Sequence, residues 1–126
     1  MTLFVYIAAG LFLLLHGLVH LMGLVAYWPI AELKELPYKT TLLGGRWDIG
    51  RGGTRICSLL WAAGAIAFSA AALGLALRYG WWRPCLLGAT LYSLVLTVLD
   101  WSPAWRGAII NAVILTALAV SGGESF

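Results

Sequence analysis

Four apolar runs, with charge confined to their ends and to the segments between them, set the pattern of this chain. The first covers residues 2–28, TLFVYIAAGLFLLLHGLVHLMGLVAYW, and contains no Asp, Glu, Lys or Arg. A hydrocarbon core roughly 30 Å thick takes about 20 apolar residues at about 1.5 Å each, so this run is long enough to cross it as a helix. Residues 56–79 and 82–101 form the second and third runs, with Arg78, Arg83 and Asp100 at their ends. The fourth, residues 107–122, is shorter, and at about 1.5 Å per residue its ~24 Å predicts little tilt or extension at its ends. The predicted architecture is all-α: an integral membrane four-helix bundle in one four-span domain over residues 1–126.

The connections differ in kind. Gly80-Trp81 and residues 102–106 are short, which makes the second and third helices, and the third and fourth, antiparallel neighbours. Pro84 falls in the first turn of the third helix, where its missing N–H costs nothing, and Pro103 is read as the break before the fourth. The first connection, residues 29–55, is far longer than a helix hairpin requires and is expected to have structure of its own. Residues 31–36 suggest a short interfacial helix stopped by Pro37. Gly44, Gly45, Gly50, Gly52 and Gly53 allow tight or positive-φ turns around Arg46, Trp47 and Asp48. Those three are read either as a solvated loop anchored by Trp47 or as contact residues of a lid or docking loop.

Composition strengthens the membrane reading. Hydrophobic residues make up 62% and charged residues 10% of the chain, against roughly a quarter charged in ordinary soluble domains. The net charge of +3 does not point to nucleic acid, because the basic residues sit in connections rather than in one patch. They read as topology signals. Lys34, Lys39, Arg46, Arg51, Arg55 and Arg106 fall on one side of the predicted bundle, and Arg78 and Arg83 on the other. The excess of Lys and Arg on cytoplasmic loops then places both termini outside the cytoplasm of a multi-pass protein of the cell membrane. A cleaved signal peptide is not expected: such signals have a basic n-region and an apolar h-region of about 7–15 residues, whereas nothing basic precedes Lys34. Cys57 and Cys85 have no metal-type spacing and fall at opposite ends of the predicted bundle, ~30 Å apart, too far for a disulfide.

Polar residues inside the runs carry whatever chemistry there is. His16 and His20 are four apart, on one face of the first helix. Thr90, Ser93, Thr97 and Asp100 form one stripe of the third, and Asn111 lies inside the fourth. If these faces converge, His16, His20, Ser93, Thr97, Asp100 and Asn111 enclose a polar ligand site open toward the first connection. The plainer alternative has hydroxyls bonding to their own helices, Asn111 bonding a neighbouring helix and Asp100 at the interface near Arg106. For the histidines, helix–helix glue competes with a proton relay or a small polar or quinone-like ligand. Metal or haem is a third reading, but two histidines on one helical face cannot take opposite axial positions on one haem, and a metal would need Asp100, a cysteine or another chain. The cofactor is left open, and no catalytic motif is visible.

The second helix is dense in small residues. Ala63, Ala67, Ala70, Ala71 and Gly74 recur at three- and four-residue intervals, a face expected to pack against the first or third helix or a second copy. Four spans in this length, with LFLLLHGLVHLMG in the first, resemble the DoxX-like small bacterial membrane proteins. The resemblance covers the span layout and residues 10–24, and implies a four-helix bundle with a redox- or transport-associated role. The GGRWDIGRGG connection departs from that pattern, and no site residue is transferred. Two functions of different class follow. One is an accessory or structural subunit of a membrane transport or electron-transfer assembly, with a protein partner or homo-oligomer and the bilayer around it. The other is a stand-alone binding or transport protein using the polar site at His16 and His20.

Overall fold

The computed structural model describes residues 2–121, the Ser102 side chain excepted. Helices α1 (Leu3–Val19) and α2 (Leu21–Tyr27) are followed by a hairpin of β1 (Thr41–Leu42) and β2 (Trp47–Asp48), then α3 (Gly50–Ala76), α4 (Trp82–Leu99) and α5 (Trp101–Val120). Four stretches are long and apolar enough to cross a membrane: Leu3–Tyr27, in which α1 and α2 run on from one another, Gly50–Ala76, Trp82–Leu99 and Pro103–Val120.

The first stretch is not one unbroken helix. The backbone N–H of His20 bonds to Gly17 O at 3.0 Å, one residue short of the α-helical acceptor, and Gly23 N bonds to His20 O in the same tightened way. The imidazole of His20 takes the acceptor its own backbone gives up, with Nδ1 2.8 Å from His16 O. The break between α1 and α2 is therefore a side chain inserted into the hydrogen-bond ladder.

Other boundaries differ from the sequence reading, each for a local reason. Helix α3 begins at Gly50 rather than Ile56, because Gly50 takes φ +69°, Asp48 Oδ1 accepts its N–H at 3.0 Å, and Gly52 and Gly53 lie inside the helix rather than in turns. It ends at Ala76. Arg78 adopts φ +59°, with Tyr79 N bonded to Gly74 O and Arg78 N to Leu75 O, a Schellman close with arginine where glycine is usual. Helix α5 begins at Trp101 rather than Gly107, so Pro103 sits in its first turn, where a proline is tolerated. The break expected there falls one turn earlier, at Asp100, whose φ −113° and ψ 43° are not helical. Residues 31–36 form no helix, only bends. The rest of the connection folds back as the hairpin, turned through positive φ at Leu43, Gly44 and Gly45 and pinned by Leu43 N to Leu99 O at 2.9 Å.

The helices pack in the order α1, α3, α4, α5, with α2 also against α3. Helix α3 is thus the centre, and its small residues serve both neighbours. Ala71 and Gly74 are buried and Ala67 and Ala70 partly so, but Ala63 is exposed; the closest approaches of α1–α2 to this helix are at Trp61, Gly64 and Phe68 instead. A Cβ on Gly17 would lie 2.7 Å from Phe68 Cβ and 3.3 Å from Ala65 O, so α1 and α3 meet nearly backbone to backbone. Gly17→Ala is expected to cost about 1–2 kcal/mol of stability by overpacking. Gly88→Ala, where nothing lies within 4 Å of the new methyl, should be neutral or stabilising by about 0.5–1 kcal/mol. Reversible unfolding in bicelles checks both; a loss at Gly88 equal to that at Gly17 would contradict the packing.

Two apolar clusters result. One gathers Tyr6, Leu13, Phe68, Leu75, Leu86 and Ile114 toward the chain termini, and the other gathers Tyr27, Leu36, Leu42, Cys57, Trp61 and Leu96 under the hairpin. Both cysteines are free thiols, Cys57 in the second cluster and Cys85 against the first.

Candidate functional site

Between the two clusters lies a layer of polar side chains. His16 Nε2 is 2.9 Å from Asn111 Oδ1, Asn111 Nδ2 is 2.9 Å from Ser93 Oγ, and Ser93 Oγ is 2.6 Å from His20 Nε2. With His20 Nδ1 on His16 O, the chain of bonds leaves His16 and returns to it. Ser93 and Asn111 are fully buried, and the histidines nearly so.

The chemistry of each group fixes the direction. A carbonyl oxygen can only accept, so His20 Nδ1 carries a proton and donates it to His16 O. In the neutral ring His20 Nε2 is then the lone-pair nitrogen, and Ser93 donates its hydroxyl proton to it. Ser93 Oγ accepts from Asn111 Nδ2, which leaves Asn111 Oδ1 to accept from His16 Nε2–H. The two imidazoles are therefore opposite tautomers, and every polar atom named in the ring has a partner, as burial requires.

The rings are fixed by packing too. His16 meets His20 edge-on at 5.1 Å and Phe68 at 4.7 Å between centroids. His20 lies 5.5 Å from Trp61, and a Cβ on Gly64 would stand 2.7 Å from its Cδ2, so a side chain at 64 would push the imidazole off Ser93.

Four of the six residues expected to converge thus form one ring: His16, His20, Ser93 and Asn111. Thr97 does not join it; its hydroxyl donates to Leu94 O of its own helix, though it borders the same space. Asp100 is in a different place. It is 2% exposed, ion-paired to Lys39 Nζ, and accepts from Tyr27 Oη, while Lys39 also donates to Tyr27 Oη at 2.8 Å. Its partner is Lys39 of the folded-back connection, not the interface setting near Arg106 that the sequence suggests. Arg46, Trp47 and Asp48 are exposed on the hairpin; Trp47 and Asp48 edge a separate cavity under it, and Asp48 binds the start of α3.

Between α1–α2 and α5 the bundle leaves an open seam. A cavity of about 460 Å³ runs along it from Phe12 and Ile110 at mid-helix to Glu35 and Arg106 at the hairpin end. His16 and His20 form part of its wall, and Trp61 and Thr97 also line it. A second cavity of about 260 Å³, bordered by Phe12, Val113 and Ile114, continues the seam toward the termini. The bond from His16 to Asn111 ties the seam shut between α1 and α5.

Three residues that matter here were not singled out in the sequence. Tyr27 and Lys39 are distant in sequence from Asp100 and have no shared periodicity with it, so only the folded-back connection reveals the cluster. Trp61 reads as one more apolar residue of a span, yet its Nε1 is the one buried side-chain nitrogen or oxygen without a partner among the described residues. No three His, Cys, Asp or Glu side chains among those residues gather as a metal site. Comparison with protein-family models, with curated proteins and with solved structures gives no match.

Proposed function

We propose that this chain is a four-span membrane protein that binds a small, mostly apolar ligand in the cavity between α1–α2 and α5. The observation that carries the reading is that cavity: about 460 Å³, apolar in lining, with a few convergent polar groups, which is the form small-molecule sites take. The bilayer setting is supported by exposed large apolar side chains all along the helices, among them Phe4, Leu11, Leu15, Ile66, Val95 and Val113. The polar ring supports it as well, since groups in hydrocarbon must be satisfied internally. In this setting the hairpin end, with its excess of Lys and Arg, faces the cytoplasm and the termini face outward.

Native mass spectrometry of the protein released from nanodiscs tests the binding. The expected result is a small-molecule adduct on the intact chain that is lost in Ile110→Trp, which fills the cavity, while the unfolding midpoint stays within a few degrees. An adduct that persists in Ile110→Trp would overturn the assignment. A second reading, an accessory subunit of a transport or electron-transfer assembly, is favoured by the exposed hairpin tip with Leu43 and Trp47. A large companion chain that leaves on Trp47→Ser, with no adduct on the protein, would decide for it.

A further inference from the structure

His16 has two ring nitrogens, and the polar ring uses one of them. Its Nε2–H donates to Asn111 Oδ1, so Nδ1 carries the lone pair of the neutral imidazole. Among the described residues nothing donates to Nδ1. It is not sealed off either. The one unpartnered side-chain nitrogen or oxygen closed to its surroundings among those residues is Trp61 Nε1, so Nδ1 keeps a face on open space. His16 borders the 460 Å³ cavity and neither of the other two described, while His20, Phe68 and Phe12 pack against its ring. That open face is therefore on the cavity.

The surroundings narrow what can meet it. The wall beside His16 is apolar, formed by Phe12, Leu15, Val19 and Ile110. A water on Nδ1 would need two to four polar partners, which such a wall does not supply. His16 also lies near the middle of the Leu3–Tyr27 stretch, where an ammonium donor would carry a charge into hydrocarbon. A ketone or a carboxylate has only acceptors and would set lone pair against lone pair. From this we infer that the ligand is a lipophilic molecule bearing an uncharged hydroxyl, which donates to His16 Nδ1 while its hydrocarbon part fills the seam. The inference rests on the binding function proposed above.

Three probes of one carbon skeleton separate the two claims. Diphenylmethanol carries a donor, benzophenone an acceptor alone, and diphenylmethane neither. With the protein in nanodiscs, and affinities counted from probe dissolved in protein-free nanodiscs, diphenylmethanol should bind about fivefold more tightly than the other two, the ratio one net hydrogen bond supplies. It alone should move the nitrogen-15 resonance of His16 Nδ1 upfield, a signal identified by its loss in His16→Phe. The other unprotonated ring nitrogen, His20 Nε2, already accepts from Ser93 and should stay in place. Diphenylmethane or benzophenone binding as tightly as diphenylmethanol, or an unmoved Nδ1 resonance, would overturn the hydroxyl preference and leave the cavity as a binding site. No binding of any probe above the protein-free reference would overturn the binding function and the preference together.

Discussion

Lys39→Met should destabilise the protein by about 2–4 kcal/mol, and Asp100→Asn by only about 1 kcal/mol, although the two residues form one ion pair. The asymmetry follows from where each partner sits. The Lys39 side chain is 31% exposed, so without the carboxylate its ammonium can turn to water. The amide oxygen introduced by Asp100→Asn would still accept from Tyr27. Asp100 is 2% exposed, and removing Lys39 leaves a buried carboxylate with the Tyr27 hydroxyl as its remaining donor among the described side chains. The lower end of the range for Lys39→Met allows for solvent screening of the partly exposed ammonium. Lys39 also ties the connection to the α4–α5 turn, so Lys39→Met should speed proteolysis between residues 29 and 49. Unfolding midpoints and limited proteolysis check this; equal costs for the two variants would show that the pair behaves as a surface ion pair.

The second large effect is expected at the ring. Ser93→Ala removes the donor to His20 Nε2 and the acceptor of Asn111 Nδ2, and should cost about 1–3 kcal/mol. Asn111→Leu deprives His16 Nε2–H of its acceptor and opens the tie across the seam, with a similar cost. Because each bond orients the next, the costs should not add. The double variant should fall short of the sum by about 0.5–1 kcal/mol or more, since the second substitution acts on a ring already broken. Strict additivity in a double-mutant cycle would mean two independent contacts rather than one circuit.

The elements legible from sequence were those that hydropathy writes directly. Four apolar runs with charge at their ends become four helical stretches, because length and apolarity alone specify them. The helix starts were not legible where a polar first turn extends beyond the apolar run. Arg51, Thr54 and Arg55 belong to α3, and Trp105 and Arg106 to α5, yet their chemistry reads as loop. Periodicity put His16 with His20, and Ser93 with Thr97, on common faces, but a face does not name its partner. That His20 meets Ser93 and His16 meets Asn111 depends on the close approaches at Gly17 and Gly64 and on the tightened backbone at His20. The Tyr27–Lys39–Asp100 cluster was hidden for a related reason: Lys39 reads as one more topology charge until the connection folds back and brings it to Asp100. The orphan donor of Trp61 cannot be seen in sequence, since every buried indole has an N–H and only the packing decides which lacks an acceptor.

The state of the two imidazoles is the most direct measure of whether a closed polar ring lets this pair lie within an apolar helix. Nitrogen-15 NMR of selectively labelled histidine in the lipid-embedded protein reads it. The expected spectrum has a proton on Nδ1 of His20 and on Nε2 of His16, one neutral ring of each tautomer, with Ser93→Ala releasing the first assignment. Two rings of the same tautomer, or a His20 signal indifferent to Ser93, would contradict the ring.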